Sequence, residues 1–419
     1  MMIFISFYFF VCLLLFIFMI ILYNNCCKGV DYMNIRYFDN AATTRVDDDV
    51  IEYMIPYMKE VYFNPSSLYK PSIMVKKAVN DARERVAKAI NANSSEIYFT
   101  SGGSESDNLA IKGFAYANRK KGNHLITSCI EHPAVINSMK SLEKEGFEVT
   151  YLSVDENGFI SLDELERSIK ENTILISVMF ANNEIGTIEP IKKIGDIAKK
   201  YNICFHTDAV QAIGSVNVDV NDMNIDMLSL SGHKFYGPKG VGALFVRKGI
   251  LINRLNDGGH QEKGKRSGTE NVPGIVGLGY AIEKACNSVD ENNKKISELR
   301  DYYIDRVLSE ISDVKVNGDR TNRLPGNANI SFKYVEGESI LLRLDSKGVC
   351  VSTGSACSSL SLEPSYVLLS IGLSHELAHG SIRVSLGKHN TKEEVDYLVD
   401  VLKEVIGDLR KMSPLCEEE

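Results

Sequence analysis

Short apolar runs alternate with amphipathic stretches along most of this chain. Runs rich in β-branched and aromatic residues predict seven strands. Between them, apolar residues recur at helical spacing, as in the segment that follows Pro71, a suitable first-turn proline, and in Ile191–Ala198. Strands that alternate with helices predict an α/β fold with a mainly parallel sheet covered on both faces. The predicted strands are 97–100, 124–127, 149–152, 173–178, 203–207, 227–230 and 243–246.

The pattern changes near residue 291, where a long polar helix is predicted over Lys294–Ile311. A smaller segment of mixed helices and strands follows it. We therefore predict a large domain over 33–290 and a smaller C-terminal α/β domain over 291–419. The first residues of the large domain, which include a predicted strand at Ile35–Phe38, can pack on the smaller one.

Residues 1–32 form a hydrophobic segment, and its first 27 residues carry no charged side chain. The run Ile3–Leu22 has about the length of a membrane-spanning helix, so membrane attachment is one explanation. A signal peptide fits less well, because a basic start and a small-residue cleavage site are missing. The third explanation is a mis-assigned start, with translation beginning at Met33, directly before the first predicted strand.

Composition narrows the class of protein. The chain is 44% hydrophobic and 24% charged, which is ordinary for a globular enzyme. Its formal net charge of −8 argues against nucleic-acid binding, which needs a basic surface. The nine cysteines include no CxxC pair, so they indicate reduced thiols and a cytoplasmic location rather than a disulfide framework.

Candidate chemistry lies at the ends of two predicted strands. Lys234 closes the stretch Ser231–Lys234 after strand 227–230, and a lysine among small residues there can be desolvated and react with carbonyl groups. Asp208 follows strand 203–207, and a carboxylate there suits a cofactor whose pyridine nitrogen must stay protonated. The ordinary alternatives are a surface lysine and a helix cap.

A third element is the stretch Thr100–Asn108, between a predicted strand and a helix that begins near Ser104. Backbone amides at a helix start, with hydroxyls beside them, can cradle a phosphate, although a capped turn is the simpler alternative. A phosphate cradle, a partner for a pyridinium and a reactive lysine in one α/β chain together predict a site for pyridoxal 5'-phosphate.

With these motifs the chain resembles cysteine desulfurases of the NifS/IscS type, which are pyridoxal-phosphate enzymes of fold type I. The resemblance runs from about Tyr37 to Gly387 and departs at Tyr69, where histidine is usual, and at Lys263, where arginine is usual. It implies a large domain with a mainly parallel seven-stranded sheet plus a smaller C-terminal α/β domain. The matching stretches are Phe38–Thr44, Gly103–Asn108, Glu131–His132, Asn182–Gly186, His206–Gln211, Ser231–Lys234, Arg266–Thr269 and Ser352–Cys357.

The resemblance implies roles around the cofactor ring. The lysine that matches Lys234 binds the cofactor covalently, and the aspartate that matches Asp208 pairs with the pyridine nitrogen. Gln211 matches the residue that bonds the ring hydroxyl, and Asn183 also approaches the ring. His132 matches a histidine that stacks on the ring and moves protons.

Phosphate and substrate contacts are implied as well. Thr269 matches a phosphate contact that the partner subunit supplies, so the resemblance implies a homodimer. Arg383 matches the residue that grips the substrate carboxylate, a role that the fork of an arginine suits. The residues that match phosphate contacts within the same subunit are Gly103, Ser104, Ser231 and His233.

Cys357 matches the family's sulfur acceptor, which takes sulfur from L-cysteine, releases L-alanine and becomes a persulfide. It lies in a run of small residues that leaves a thiol room to reach the cofactor. The resemblance implies transfer of that sulfur to an acceptor such as an iron–sulfur scaffold. It implies no resident metal, but contact between Cys357 and a cluster during transfer. A small buried cysteine is the ordinary alternative.

The sequence also contains features of other classes of protein. His375–His379 matches the HExxH signature of zinc metalloproteases, but Ser374 and Gly380 predict a helix of one and a half turns, too short for that site. An aminotransferase on the same fold is disfavoured by Cys357. A non-catalytic scaffold would be expected to lack Lys234 or Cys357. A selenocysteine lyase stays open.

Overall fold

The computed structural model describes residues 35–353 and 363–413. The hydrophobic segment 1–32 and Cys357 therefore lie outside the described residues. Within the described ranges, no helix combines the length and the apolar character needed to cross a membrane. The strands are β1 (Arg36–Tyr37), β2 (Ile97–Thr100), β3 (His124–Ser128), β4 (Glu148–Leu152), β5 (Thr173–Ser177), β6 (Cys204–Asp208), β7 (Met227–Ser231), β8 (Gly242–Val246), β9 (Val314–Asn317), β10 (Asn327–Phe332), β11 (Val349–Cys350), β12 (Ser352–Thr353) and β13 (Ser381–Ser385).

The helices alternate with the strands from β2 to β6. They are α1 (Asp48–Lys59), α2 (Lys70–Ala89), α3 (Gly103–Asn118), α4 (Pro133–Glu143), α5 (Leu162–Arg167), α6 (Ile191–Lys200), α7 (Val272–Asn287), α8 (Val289–Glu310), α9 (Gly337–Ser346), α10 (Tyr366–Ser370), α11 (His375–His379) and α12 (Lys392–Met412).

The large sheet contains all seven strands predicted from the sequence, in the order β2-β8-β7-β6-β5-β3-β4. Strand β8 runs antiparallel to both its neighbours, whereas the other described pairs are parallel. Strands β3, β5, β6, β7 and β8 are buried along their whole length. The prediction of an α/β fold with a mainly parallel, doubly covered sheet is therefore confirmed.

Helix packing on this sheet follows the apolar spacing in the sequence. Helix α2 carries Pro71 in its first turn and buries Val75, Val79 and Val86 along one face. It packs against α7, where Gly279 faces α2, because a Cβ there would lie 2.7 Å from the Cα of Ala82. The glycine lets the two helices approach closely.

A second, antiparallel sheet has the order β12-β13-β10-β9 and a separate apolar core. Helices α8 and α12 supply buried side chains such as Ile304 and Leu398 to that core. Strand β1 pairs in parallel with β11, and Phe38 joins the same core, so the first described residues pack with the C-terminal part of the chain. The domain boundary at residue 290 stays a prediction.

Candidate active site

The site forms where β6 and β7 end side by side. Asp208 is the last residue of β6, and Lys234 closes a single 3-10 turn, Gly232–Lys234, directly after β7. Since these parallel strands are neighbours, their carboxyl ends open into one cavity of about 420 Å³. Ten residues predicted from the sequence line it: Gly103, Ser104, His132, Asn183, Asp208, Gln211, Ser231, His233, Lys234 and Arg383.

The start of helix α3 lies at one end of this cavity. The first amides of a helix have no partner within it, so they are available to an anion. Gly103 is required there, because a Cβ would lie 2.7 Å from a methyl group of Val210. The hydroxyls of Thr100 and Ser106 lie 2.8 Å apart and fix the preceding turn.

His233 lines the same cavity as a neutral side chain. Burial, aided by Lys234 and Lys239, lowers the pKa of His233 to about 4. Its Nδ1 lies 3.1 Å from the hydroxyl of Thr43. At neutral pH, His233 therefore offers an anion a hydrogen bond and no positive charge.

Lys234 is held by the segment that follows β1. Its Nζ donates hydrogen bonds to the carbonyl oxygens of Ala41, at 2.5 Å, and Ala42, at 2.9 Å. The side-chain amide of Gln211 donates to the same Ala41 oxygen, at 3.0 Å. These carbonyl acceptors hold the amine in place, and its charge also favours the ionised form of Asp208.

Asp208 and His132 are coupled electrostatically. Burial raises the pKa of the Asp208 carboxyl, whereas His132, the amide of Val210 and Lys234 oppose that rise. Burial also lowers the pKa of His132, which caps helix α4 by accepting a hydrogen bond from Ala134 at Nδ1, 3.1 Å away. An acceptor at Nδ1 leaves the proton of the neutral ring on Nε2.

Arg383, in strand β13, also lines the cavity. Its Nη2 lies 2.7 Å from Oδ1 of Asp39, and its Nη1 donates to the carbonyl of Asn183, at 3.1 Å. The guanidinium is buried, and its Nε has no hydrogen-bond partner among the described residues. Asn183 lies in a turn that ends at Gly186, whose positive φ of 82° favours glycine.

Thr269 is not among the residues that line this cavity. Thr269 is exposed in the single chain, on the connection between β8 and α7. Cys357 lies outside the described residues. The individual roles of the ten cavity residues, like those of Thr269 and Cys357, stay predictions.

Sequence reasoning gave no role to several residues at this site. Asp107, in the second turn of α3, and Tyr366, at the start of α10, line the cavity, and Asp39 pairs with Arg383. Glu131 is buried beside Asp208, and burial raises its pKa to about 8. Asp107 and Glu131 belong to two of the matching stretches, Gly103–Asn108 and Glu131–His132. Their proximity to Asp208 is visible only in the folded structure.

The HExxH match forms the short helix that the sequence predicts. Helix α11 has five residues, Ser374 caps its start, and Gly380 ends it before β13. Among the described residues, the cluster of three potential metal ligands is Asp107, His132 and Asp208, within 4.8 Å of one another, and it includes neither histidine of α11.

Comparison with known proteins agrees with the geometry. Residues 36–398 match the family described as aminotransferase class-V. The chain is 59% identical to a cysteine desulfurase IscS of Clostridium botulinum over 384 residues, which cover 91% of this chain and 97% of that protein. It is 57% identical to a cysteine desulfurase IscS of Methanosarcina thermophila, with 91% and 95% covered.

Solved structures show the same fold. A NifS-like protein superimposes with a TM-score of 0.85 at 40% identity, covering 89% of this chain and all of that one. A structure described as SspA in complex with cysteine superimposes with a TM-score of 0.76 at 41% identity, covering 85% of this chain and 100% of that chain. This chain therefore belongs to the class-V aminotransferase family and, within it, to the cysteine desulfurases.

Proposed function

We propose that this protein is a pyridoxal-phosphate-dependent cysteine desulfurase that takes sulfur from free L-cysteine, releases L-alanine and holds the sulfur as a persulfide on Cys357. The observation that carries the proposal is the meeting of Lys234, Asp208 and the start of helix α3 at one cavity. Membership of the cysteine desulfurase family supports the choice of substrate.

The residues present fit pyridoxal phosphate. Asp208 is a buried carboxyl whose ionised form needs a cation, and a protonated ring nitrogen is one. The amine of Lys234 can bond covalently to the cofactor's aldehyde. The free amides of α3, with Ser104, Ser231 and neutral His233, suit its phosphate. When bound, the cofactor supplies an electron sink for the charge left by the departing α-proton.

Lys234 is our candidate for the base that takes that α-proton. The carbonyls of Ala41 and Ala42 accept hydrogen bonds from its amine, so the amine is oriented before reaction. His132, on the same cavity, can hold or move a proton at Nε2, because its Nδ1 is already an acceptor for Ala134.

Arg383 is our candidate for the residue that binds the substrate's carboxylate. Its guanidinium is buried at the cavity wall and is the group there best suited to a planar anion. The contacts with Asp39 and Asn183 fix its plane, so the binding direction is set in advance.

Sulfur transfer then takes place on Cys357. The thiolate of Cys357 forms a bond to the substrate sulfur, and the bond between that sulfur and the substrate's β-carbon breaks. The electron pair of the broken bond stays on the carbon skeleton, which takes up a proton and leaves as L-alanine. L-cysteine and the enzyme thiol thus give L-alanine and an enzyme persulfide, with no oxidant or reductant consumed.

The deciding experiment measures both products. With pyridoxal phosphate, L-cysteine and a reducing thiol, the wild-type protein should form L-alanine and sulfide in equal amounts. Cys357→Ser should bind the cofactor and yet form no persulfide on mass spectrometry. Cys286→Ser, which changes a half-buried cysteine on α7, is the control and should act as wild type. Full sulfide production by Cys357→Ser would refute the assignment.

We propose a homodimer as the active form. Thr269 is exposed in the single chain and outside its own cavity, which supports its use by a partner. Exposed apolar side chains are also concentrated on one region, from α1 to the first turns of α2, and a second copy would bury them. They are Ile51, Ile55, Met58, Tyr62, Leu68, Tyr69, Ile73 and Met74.

The persulfide must be passed on, and we propose a thiol of an iron–sulfur scaffold protein as its acceptor. Persulfide transfer between thiols follows ordinary exchange chemistry, which needs the reducing conditions of the cytoplasm. The cysteines of the described residues are all free thiols, in agreement with that location. Transfer of labelled sulfur from the enzyme to a purified scaffold would test the acceptor.

A further inference from the structure

Asp107 and Asp208 place two buried carboxyl groups at the same cavity. One oxygen of each carboxyl group and a ring nitrogen of His132 lie within 4.8 Å of one another. Asp107 is 1% exposed and Asp208 is 6% exposed, so water reaches neither group freely. Two carboxylates this close in a medium of low polarity do not both ionise readily.

Hydrogen bonding distinguishes the two groups. Asp208 accepts the amide of Val210 at 2.9 Å, and His132 and Lys234 favour its charged form. Within the part of the chain that the structure describes, Oδ1 of Asp107 has no hydrogen-bond partner, and the hydroxyl of Ser229 is the group that hydrogen-bonds this carboxyl. A carboxylate oxygen left bare in the interior is costly, whereas the carbonyl oxygen of a neutral acid is far less so.

The remaining neighbours give Asp107 no cation. His206 approaches it at 3.8 Å, but both its ring nitrogens already contact serine hydroxyls, and burial lowers its pKa to about 3. Glu131 adds a third buried carboxyl to the cluster and disfavours further negative charge. Burial, Asp208 and Glu131 together raise the pKa of Asp107 well above its ordinary value.

We propose that Asp107 is a positioning residue that stays a neutral acid beside Asp208, so that the negative charge of the pair is confined to the carboxylate that faces the cofactor's ring nitrogen. This inference rests on the proposed function for its purpose, but not for its test. A charge shared between the two groups would hold the ring proton less firmly than a charge fixed on Asp208.

Infrared spectroscopy of the cofactor-free protein measures the protonation state of the Asp107 carboxyl directly. At pH 8, the infrared spectrum of wild type minus that of Asp107→Asn should contain the carbonyl band of a protonated carboxylic acid. Glu105→Gln is the matched control on the same helix, because Glu105 is ionised against Arg266 at 2.9 Å, and its difference spectrum should contain carboxylate bands. Carboxylate bands for Asp107→Asn would overturn the proposal. Asp107→Ala repeats the test if the asparagine variant does not fold.

Thermal unfolding of the cofactor-free protein gives a second readout. A folded-state pKa above the unfolded one means that wild type loses stability as pH rises between the two values. The melting temperature of Asp107→Asn minus that of wild type should therefore increase from pH 4 to pH 8. The groups that face Asp107 are unchanged in the variant: Asp208, His206, Ser229, Glu131 and His132. A flat difference would overturn the proposal.

Cofactor binding separates this inference from the proposed function. Asp107→Asn should weaken binding of pyridoxal phosphate by less than about threefold, whereas Asp208→Asn should weaken it by more than about thirtyfold, because a buried cation then lacks its partner. Equal losses in the two variants would overturn the neutral-acid assignment. If wild type bound no pyridoxal phosphate, the proposed function would fail, and the infrared and unfolding results would still decide the state of Asp107.

Discussion

Asp39 and Arg383 form an ion pair across the wall of the active-site cavity, with 2.7 Å between Oδ1 of Asp39 and Nη2 of Arg383. Asp39 follows β1 near the start of the described chain, and Arg383 lies in β13 near its end. The side chain of Arg383 is 3% exposed and that of Asp39 is 19% exposed. Any carboxylate that binds Arg383 must share the guanidinium with Asp39.

Removing the charge of Asp39 should affect stability and substrate binding in opposite directions. Asp39→Asn removes the anion that pairs with a buried guanidinium, so the free energy of unfolding should fall by about 3–5 kcal/mol. The substrate's carboxylate then no longer competes with Asp39 for Arg383, and KM for L-cysteine should fall. Urea unfolding and steady-state kinetics measure the two effects.

Asp48→Asn, which removes an exposed ion pair with Arg45, is the control, and its free energy of unfolding should fall by less than about 1 kcal/mol. An unchanged or higher KM in Asp39→Asn would contradict the prediction that Asp39 and the substrate's carboxylate share the guanidinium of Arg383.

Lys234→Ala should abolish covalent attachment of the cofactor and lower kcat at least about a thousandfold, because both the anchor and the base are lost. Mass spectrometry after borohydride reduction detects the attachment. Lys239→Ala is the matched control, since Lys239 is an exposed lysine five residues further along the chain. Cofactor still attached to the protein in Lys234→Ala would show that another lysine is the anchor.

Glu189 should make stability depend on pH. It is 4% exposed, no described residue hydrogen-bonds its Oε1, and burial raises its pKa from 4.5 to about 8. Since the folded state holds this proton more tightly than the unfolded state, stability should fall as pH rises from 4.5 to 8 and then level off. Glu189→Gln should therefore gain stability over wild type across that window, by at most about 5 kcal/mol. Denaturant unfolding at pH 5 and pH 9 measures the gain, and an equal difference at both values would contradict it.

A mixing experiment tests whether Thr269 serves the partner's site. Lys234→Ala and Thr269→Asp should each be inactive, the second because its carboxylate repels the cofactor phosphate. Co-expression produces mixed dimers in which one site combines an intact Lys234 with an intact Thr269 from the other subunit. Activity should return to about a quarter of wild type, which is the statistical share of such sites in random dimers. No recovery, with mixed dimers present on native mass spectrometry, would place Thr269 in its own subunit's site.

Much of the fold follows from the sequence because the signals are local. The strands are short apolar runs bounded by polar residues, and helices α2 and α6 repeat apolar residues at helical spacing. Lys234 and Asp208 could be singled out because each directly follows a strand, and parallel neighbouring strands end at one edge of the sheet. The sequence also predicts the short helix α11, since Ser374 and Gly380 are cap residues for its two ends.

Which charged residues become neighbours at the cavity is determined by the tertiary structure alone. Asp39 and Arg383 are separated by 344 residues along the chain, and no periodic pattern links them. Asp107 lies on α3, and Asp208 ends a strand about a hundred residues later, yet the packing of α3 against the sheet brings their carboxyls to one buried cluster. Residue types and spacing thus determined the elements and the identity of the reactive groups. Burial and distance, which depend on how those elements pack, determined which of the groups carry charge.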